Sequence, residues 1–146
     1  MLDDLRVIDL SNHVSGSYTS KLLASLGAHV IKVEKPSIGD RSRNIGPFLF
    51  KSMYKESSLL FRYLNTGKNS ITLDIHTISG QKIFQDLISI ADIVIDDTNN
   101  ELLESYVKVS NPSMILCSIS DFGKSGPYSG FKGGDLINQG LSLIHI

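Results

Sequence analysis

Three stretches of the 146-residue chain carry residues suited to chemistry. Residues 11–16, Ser-Asn-His-Val-Ser-Gly, are small and polar and lie between an apolar run and a helical period. Such a turn leaves its backbone amides free to face a ligand. It holds Gly16 alone rather than G-x-G-x-x-G, which argues against a nicotinamide or flavin fingerprint. Residues 35–58 are irregular, punctuated by Pro36, Gly39, Gly46 and Pro47 and charged by Arg41, Arg43, Lys51 and Lys55. Loops of this length are usually functional or disordered. Those cations suit phosphate groups, and the simpler reading is a solvated surface loop. Residues 121–134 are glycine-rich and lead into Asp135. Gly-Gly-Asp before Leu136 and Ile137 is a helix start, which makes Asp135 an N-cap on sequence grounds. His13, taken alone, reads as a surface-loop histidine.

Regular elements must position these stretches. Residues 5–34 read as strand, loop, helix, strand. Residues 5–10 and 28–34 are β-branched apolar runs. Tyr18, Leu22, Leu23 and Leu26 recur at helical spacing and predict a helix over residues 17–26 with one buried stripe. Gly27 stands where a helix end needs φ > 0. Such a unit is a parallel, right-handed crossover. Its loop then lies at the carboxyl end of the first strand, where open α/β sheets hold ligands.

Further along, residues 57–65 form a short apolar segment of undecided type, and residues 65–68 a turn. Residues 70–75, 92–96 and 114–120 predict three more strands. Residues 79–91 predict a helix burying Ile83, Phe84, Leu87 and Ile88. Residues 99–107 predict a short helix capped by Asn99 or Asn100. The expected fold class is α/β: Rossmann-like, a largely parallel sheet with helices on both faces.

Composition sets bounds. The formal charge is −1 and apolar residues make up 41%, ordinary for a globular domain. No basic excess argues for nucleic acid or an anionic membrane surface. No apolar run approaches a spanning helix of ~18 residues. Residues 1–10, MLDDLRVIDL, lack a signal-peptide charge pattern, and one cysteine, Cys117, permits no internal disulfide. These features predict a cytoplasmic protein, with mitochondrial and peroxisomal placement as alternatives. No metal site is expected.

Several motifs follow in one order: Asp9-Leu10-Ser11, Val14, Gly16, Leu22-Leu23, Leu26-Gly27-Ala28, Val30-Ile31-Lys32-Val33-Glu34 and Gly39-Asp40. Next come Asn65-x-Gly67-Lys68-x-Ser70-Ile71-x-Leu73-Asp74 and Ala91-Asp92-Ile93-Val94-Ile95. Then come Asn111-Pro112 and Cys117-Ser118-Ile119-Ser120-x-Phe122-Gly123-x-Ser125-Gly126-Pro127. This series resembles the N-terminal portion of the family III CoA-transferases, which include formyl-CoA and carnitine CoA-transferases and the α-methylacyl-CoA racemases.

The resemblance implies transfer of coenzyme A from an acyl-CoA to a free carboxylic acid through an aspartyl anhydride and an aspartyl thioester. It places the nucleophilic aspartate beyond Ile146, so the chain is expected to be an inactive N-terminal part of the large domain. It implies CoA contacts at His13, Val14, Gly16, Lys35, Leu73, Asp74, Ile75 and His76. It implies supporting catalytic roles for Ser15, as a donor to an oxyanion, and for Asp135, the acidic residue after the glycine-rich loop. For Leu73 and Ile75 the plain alternative is core packing. CoA and acyl-CoA enter as substrates, with no permanently bound cofactor, and the full protein is expected to be an interlocked homodimer. Asp96-Asp97-Thr98-Asn99 departs from the family's E-N-F-R, and Asp97 adds a charge that repels phosphates. Ser105 and Asp121 also depart from the pattern. A racemase would need a histidine where Gly134 stands. A non-catalytic CoA-binding module or pseudoenzyme and an unrelated Rossmann-like binding domain are the remaining alternatives.

Overall fold

A computed structural model describes residues 1–49, 57–98, 103, 105–106 and 111–142. Five strands, β1 (Arg6–Asp9), β2 (His29–Glu34), β3 (Asn69–Thr72), β4 (Ile93–Asp96) and β5 (Ile115–Ser118), form one sheet in the order β3-β2-β1-β4-β5. Every pairing is parallel. Each strand lies within or beside its predicted run and is shorter by one or more residues. The helices are α1 (Val14–Ser25), α2 (Leu59–Leu64), α3 (Ile78–Ile90) and α4 (Asp135–Ser142), with a 3-10 turn at Arg41–Asn44. Residues 57–65 therefore resolve into α2, capped by the Ser58 hydroxyl, which accepts from the Phe61 amide. Lys51, Lys55 and most of the predicted 99–107 helix, its Asn caps included, lie outside the described residues.

Strand alternation sorts side chains onto two faces. Ile8, Leu10, Val33 and Val94 pack against Phe84 and Ile88 of α3. Ile83, predicted for that buried stripe, is 49% exposed. On the opposite face Val7, Val30 and Ile95 pack with Leu23 and Ala24 of α1. Helices thus cover both faces, as parallel strands require.

Helix α1 differs from its prediction in start and in face. It begins at Val14, with His13 as N-cap and Ser17 N–H donating to the His13 carbonyl. Tyr18, Leu22 and Leu26, predicted to be buried, are 41%, 47% and 46% exposed. The buried face instead carries Gly16, Ser17 and Ser20. The reason lies beneath it. On this side β1 and β2 present Asp9 and Lys32, both fully buried, and hydroxyls satisfy ions where leucines would strand them.

The buried ions form a chain. Lys32 Nζ lies 2.7 Å from Asp40 Oδ2 and 3.6 Å from Asp9 Oδ1. It also donates to the Ser11 carbonyl and, at 3.2 Å, to Ser17 Oγ. Lys68 Nζ lies 2.9 Å from Asp9 Oδ2 and donates to the Ser17 carbonyl and Asn65 Oδ1. Ser11 and Ser20 hydroxyls donate to Asp9, and Ser42 donates to Asp40. Burial opposes ionisation of Asp9, but Lys32 and Lys68, with the two serines, outweigh it and hold its carboxyl below the usual range. For Lys68, burial outweighs the attraction of Asp9 and lowers its pKa. Removing one member of such a set leaves a buried charge unpaired. Lys32→Met should therefore lower unfolding free energy by about 3–5 kcal/mol at neutral pH. Urea denaturation checks this, and a loss below about 1 kcal/mol would contradict the network's structural role.

Candidate functional site

The strand order reverses between β1 and β4, and a crevice opens beyond their carboxyl ends. Two cavities occupy it. The first, about 230 Å³, has an apolar floor of Leu10, Val33, Leu73 and Ile75. Its polar rim is Asn12, Lys35, Asp74, His76 and Thr98. The second, about 720 Å³, lies over the start of α1. It is lined by His13, Val14, Ser15 and Asp97, by Ile119–Ser120–Asp121 after β5, and by Gly133, Gly134 and Asn138.

The predicted site residues therefore fall into two groups. Lys35, Leu73, Asp74, Ile75 and His76 meet in the first cavity. Leu73 and Ile75 also pack against the core, as the plain alternative expects. His13, Val14 and Ser15 meet in the second. Gly16 lines neither. A Cβ there would stand 2.4 Å from Ser11 Cβ, so glycine permits the close approach of α1 to the strand end. Asp135 opens α4, beside Gly133 and Gly134; its side chain lies outside what the structure describes.

The first three loop amides, those of Ser11, Asn12 and His13, are not free, contrary to the sequence reading. Ser11 N–H donates to Asp9 Oδ1 at 2.9 Å. Asn12 N–H donates to Asp97 Oδ1 at 2.7 Å and His13 N–H to Asp97 Oδ2 at 2.8 Å. Asp97, just past β4, thus holds the two backbone amides that lead into α1. Burial, its strongest influence, raises its pKa against the effect of the two amides. His13 Nε2 lies 3.2 Å from Arg41 Nη1. A guanidinium only donates, so Nε2 accepts and the ring proton belongs on Nδ1.

Rigid turns frame the first cavity. Asp74 Oδ1 accepts from the His76 amide, and Thr77 caps α3 by accepting from the Gly80 amide. A Cβ at Gly80 would fall 1.9 Å from the Asp74 carbonyl oxygen. Glu34, just before Lys35, takes Arg43 in a fork at 2.7 and 2.9 Å, with Ser70 Oγ and the Asp40 amide as further donors. Among the described residues no cluster of three or more His, Cys, Asp or Glu could hold a metal. No helix among them is long and apolar enough to cross a membrane.

The CoA-transferase family III model matches residues 2–144. The chain belongs to CoA-transferase family III. It is 39% identical over 149 residues to a succinate–glutarate CoA-transferase of Agrobacterium fabrum, covering 97% of this chain and 37% of the relative. It is 35% identical over 137 residues to a formyl-CoA:oxalate CoA-transferase of Rhodopseudomonas palustris, covering 90% of this chain and 31% of the relative. A crystal structure of a CAIB/BAIF family protein from Brucella suis superposes with a TM-score of 0.85 at 38% identity, over 96% of this chain and 38% of that one. The chain thus spans about a third of the length of these family members.

Sequence reasoning missed the Asp9–Lys32–Asp40–Lys68 chain, the bonds of Asp97 to the loop, and Gly80. A signal existed for the first. Lys32 and Asp9 interrupt runs that must be buried on both faces in a parallel sheet, and a buried charge needs a partner. The others depend on long-range geometry that spacing does not encode.

Glu34 yields a prediction in pH. Burial works against its charge, but Arg43, Ser70 and the Asp40 amide together bring its pKa from 4.5 to about 2. A lowered folded pKa gives stability that is present above the unfolded value and lost as pH falls through the folded one. The drop from 4.5 to about 2 corresponds to about 3 kcal/mol. Glu34→Gln should cost roughly that at pH 7 and little near pH 2, as denaturation at a series of pH values would show; a cost independent of pH would contradict it.

Proposed function

We propose that this chain supplies the CoA-holding part of an enzyme that moves coenzyme A between an acyl-CoA and a free carboxylic acid. The observation that carries the reading is a bipartite crevice at the strand switch point of a family III CoA-transferase sheet. The nucleotide end of CoA lies over Leu73, Asp74, Ile75 and His76, with Lys35 beside a phosphate. The thioester end passes His13 and Val14 to the second cavity, where Ser15 is a donor to the developing oxyanion, while the buried Gly16 lets α1 approach the strand end. Asp135 supports the acyl end.

The chemistry is covalent catalysis. An aspartate carboxylate attacks the thioester carbonyl, forming a mixed anhydride and expelling CoA thiolate. The thiolate attacks the aspartyl carbonyl, which releases the donor acid and leaves an aspartyl-CoA thioester. The acceptor carboxylate attacks that thioester and displaces CoA thiolate. The thiolate then attacks the acyl carbonyl of the new anhydride and frees the aspartate. The nucleophile belongs to sequence outside the present chain, and the complete enzyme is an interlocked homodimer. The exposed Tyr18, Leu22 and Leu26 of α1 supply apolar surface for such an assembly.

A racemase reading lacks support because Gly134, at the position of its acid/base histidine, has no proton to exchange. A non-catalytic CoA-binding module is favoured by one observation. The side chains described at the second cavity include the carboxylates of Asp97 and Asp121 and no lysine or arginine.

Two measurements test the proposal. Calorimetric titration with CoA should show binding. Lys35→Ala should weaken it about threefold to fivefold, the scale of an exposed ion pair, and flatten its salt dependence. Unchanged affinity across salt would remove Lys35 from the site. An exchange assay with succinyl-CoA or formyl-CoA should show no turnover by the 146-residue chain. Turnover would place the nucleophile within it, with Asp135 the first residue to replace.

A further inference from the structure

The two cavities share a wall made of adjacent residues from two strand ends. Asn12 and Thr98 face the first cavity, while His13 and Asp97 face the second. Each oxygen of the Asp97 carboxylate takes one amide of that wall, Asn12 at 2.7 Å and His13 at 2.8 Å. The contact joins residues 85 and 84 positions apart in sequence, so no local turn enforces it. It closes the gap between β1 and β4 just beyond their last backbone bond, Leu10 N–H to the Ile95 carbonyl. Asp97 Oδ2 also lies where a Cβ at position 16 would approach within 3.3 Å, so the first turn of α1 fits against it without spare room.

We propose that Asp97 is a positioning residue: through the amides of Asn12 and His13 it fixes the wall between the cavities and thereby orients His13–Ser15 toward the acyl end of a thioester. This rests on the reading above that CoA occupies the first cavity and its acyl group the second. The carboxylate does not touch the CoA end. It acts by holding two backbone amides, Asn12 and His13, in one geometry.

The consequence is a separation of effects. Losing the Asp97 carboxylate disorders the acyl side of the wall and leaves the first cavity's floor of Leu10, Val33, Leu73 and Ile75 in place. Because the second cavity is acidic, an uncharged acyl group is the appropriate probe. The affinities of CoA and butyryl-CoA should be measured by calorimetry for the wild-type chain, Asp97→Asn and Asp97→Ala. The wild type should bind butyryl-CoA more tightly than CoA. In Asp97→Ala that preference should fall about fivefold, the scale of lost hydrogen bonds, while CoA affinity stays within about twofold. Asp97→Asn, whose amide oxygen still accepts one N–H, should fall between; if the alanine variant does not fold, Asp97→Asn alone decides by the same ratio. Equal weakening of both ligands, an unchanged ratio, or no acyl preference in the wild type overturns the positioning role. Failure of the wild type to bind either ligand instead overturns the functional reading on which this inference rests.

Discussion

The structure depends on keeping four charges inside. Asp9, Lys32 and Asp40 are all but fully buried, and the Lys68 side chain is 1% exposed. Two cations between two carboxylates give a neutral set, which is the condition for burying ions at all. The four come from β1, β2, the loop before the 3-10 turn, and the turn before β3. Their mutual attraction therefore ties distant chain segments to one point beneath α1. It also dictates the helix above. Ser17 and Ser20 stand where a purely apolar interface would take leucine, and they complete the hydrogen bonding that lone ion pairs lack.

That anchorage sets the geometry of the crevice. Ser11 is held by Asp9 and Lys32, so the chain leaves β1 in a fixed direction. Asp97 takes the next two amides from across the sheet. The loop between β1 and α1 is thus bonded at three consecutive residues before the helix begins. Preorganisation of this kind lets a site hold a reacting group without ordering the backbone at the moment of binding. On the other side, Glu34 with Arg43, and the Asp74–Thr77 turn packed on Gly80, fix the segments that carry Lys35 and His76.

Much of the fold was legible because strands and helices differ in apolar period. The runs around Val30-Ile31 and Ile93-Val94-Ile95 could form little but buried strands, and Gly27, at φ 105, marks the end of α1 as expected. The face of α1 was not legible. Tyr18, Leu22 and Leu26 have helical spacing and remain exposed, because the periodicity of apolar residues identifies a stripe without saying what lies opposite it. Within the site, the motif resemblance named His13, Val14, Gly16, Lys35 and Leu73–His76 as one set of CoA contacts. It could not show that the site is two cavities, because the wall between them is a contact between residues 12–13 and residue 97. Asp97 was read from sequence as a charge that repels phosphates; the structure adds that its carboxylate accepts from the Asn12 and His13 amides.

In the proposed function, one CoA molecule spans both cavities across this wall. A crystal structure of the chain with CoA bound tests it most directly. The nucleotide end should lie against Leu73, Asp74, Ile75 and His76 with a phosphate near Lys35, and the thiol should be directed past His13 toward Ser15. CoA bound elsewhere on the sheet, or in the crevice with its thiol pointing away from the start of α1, would contradict it.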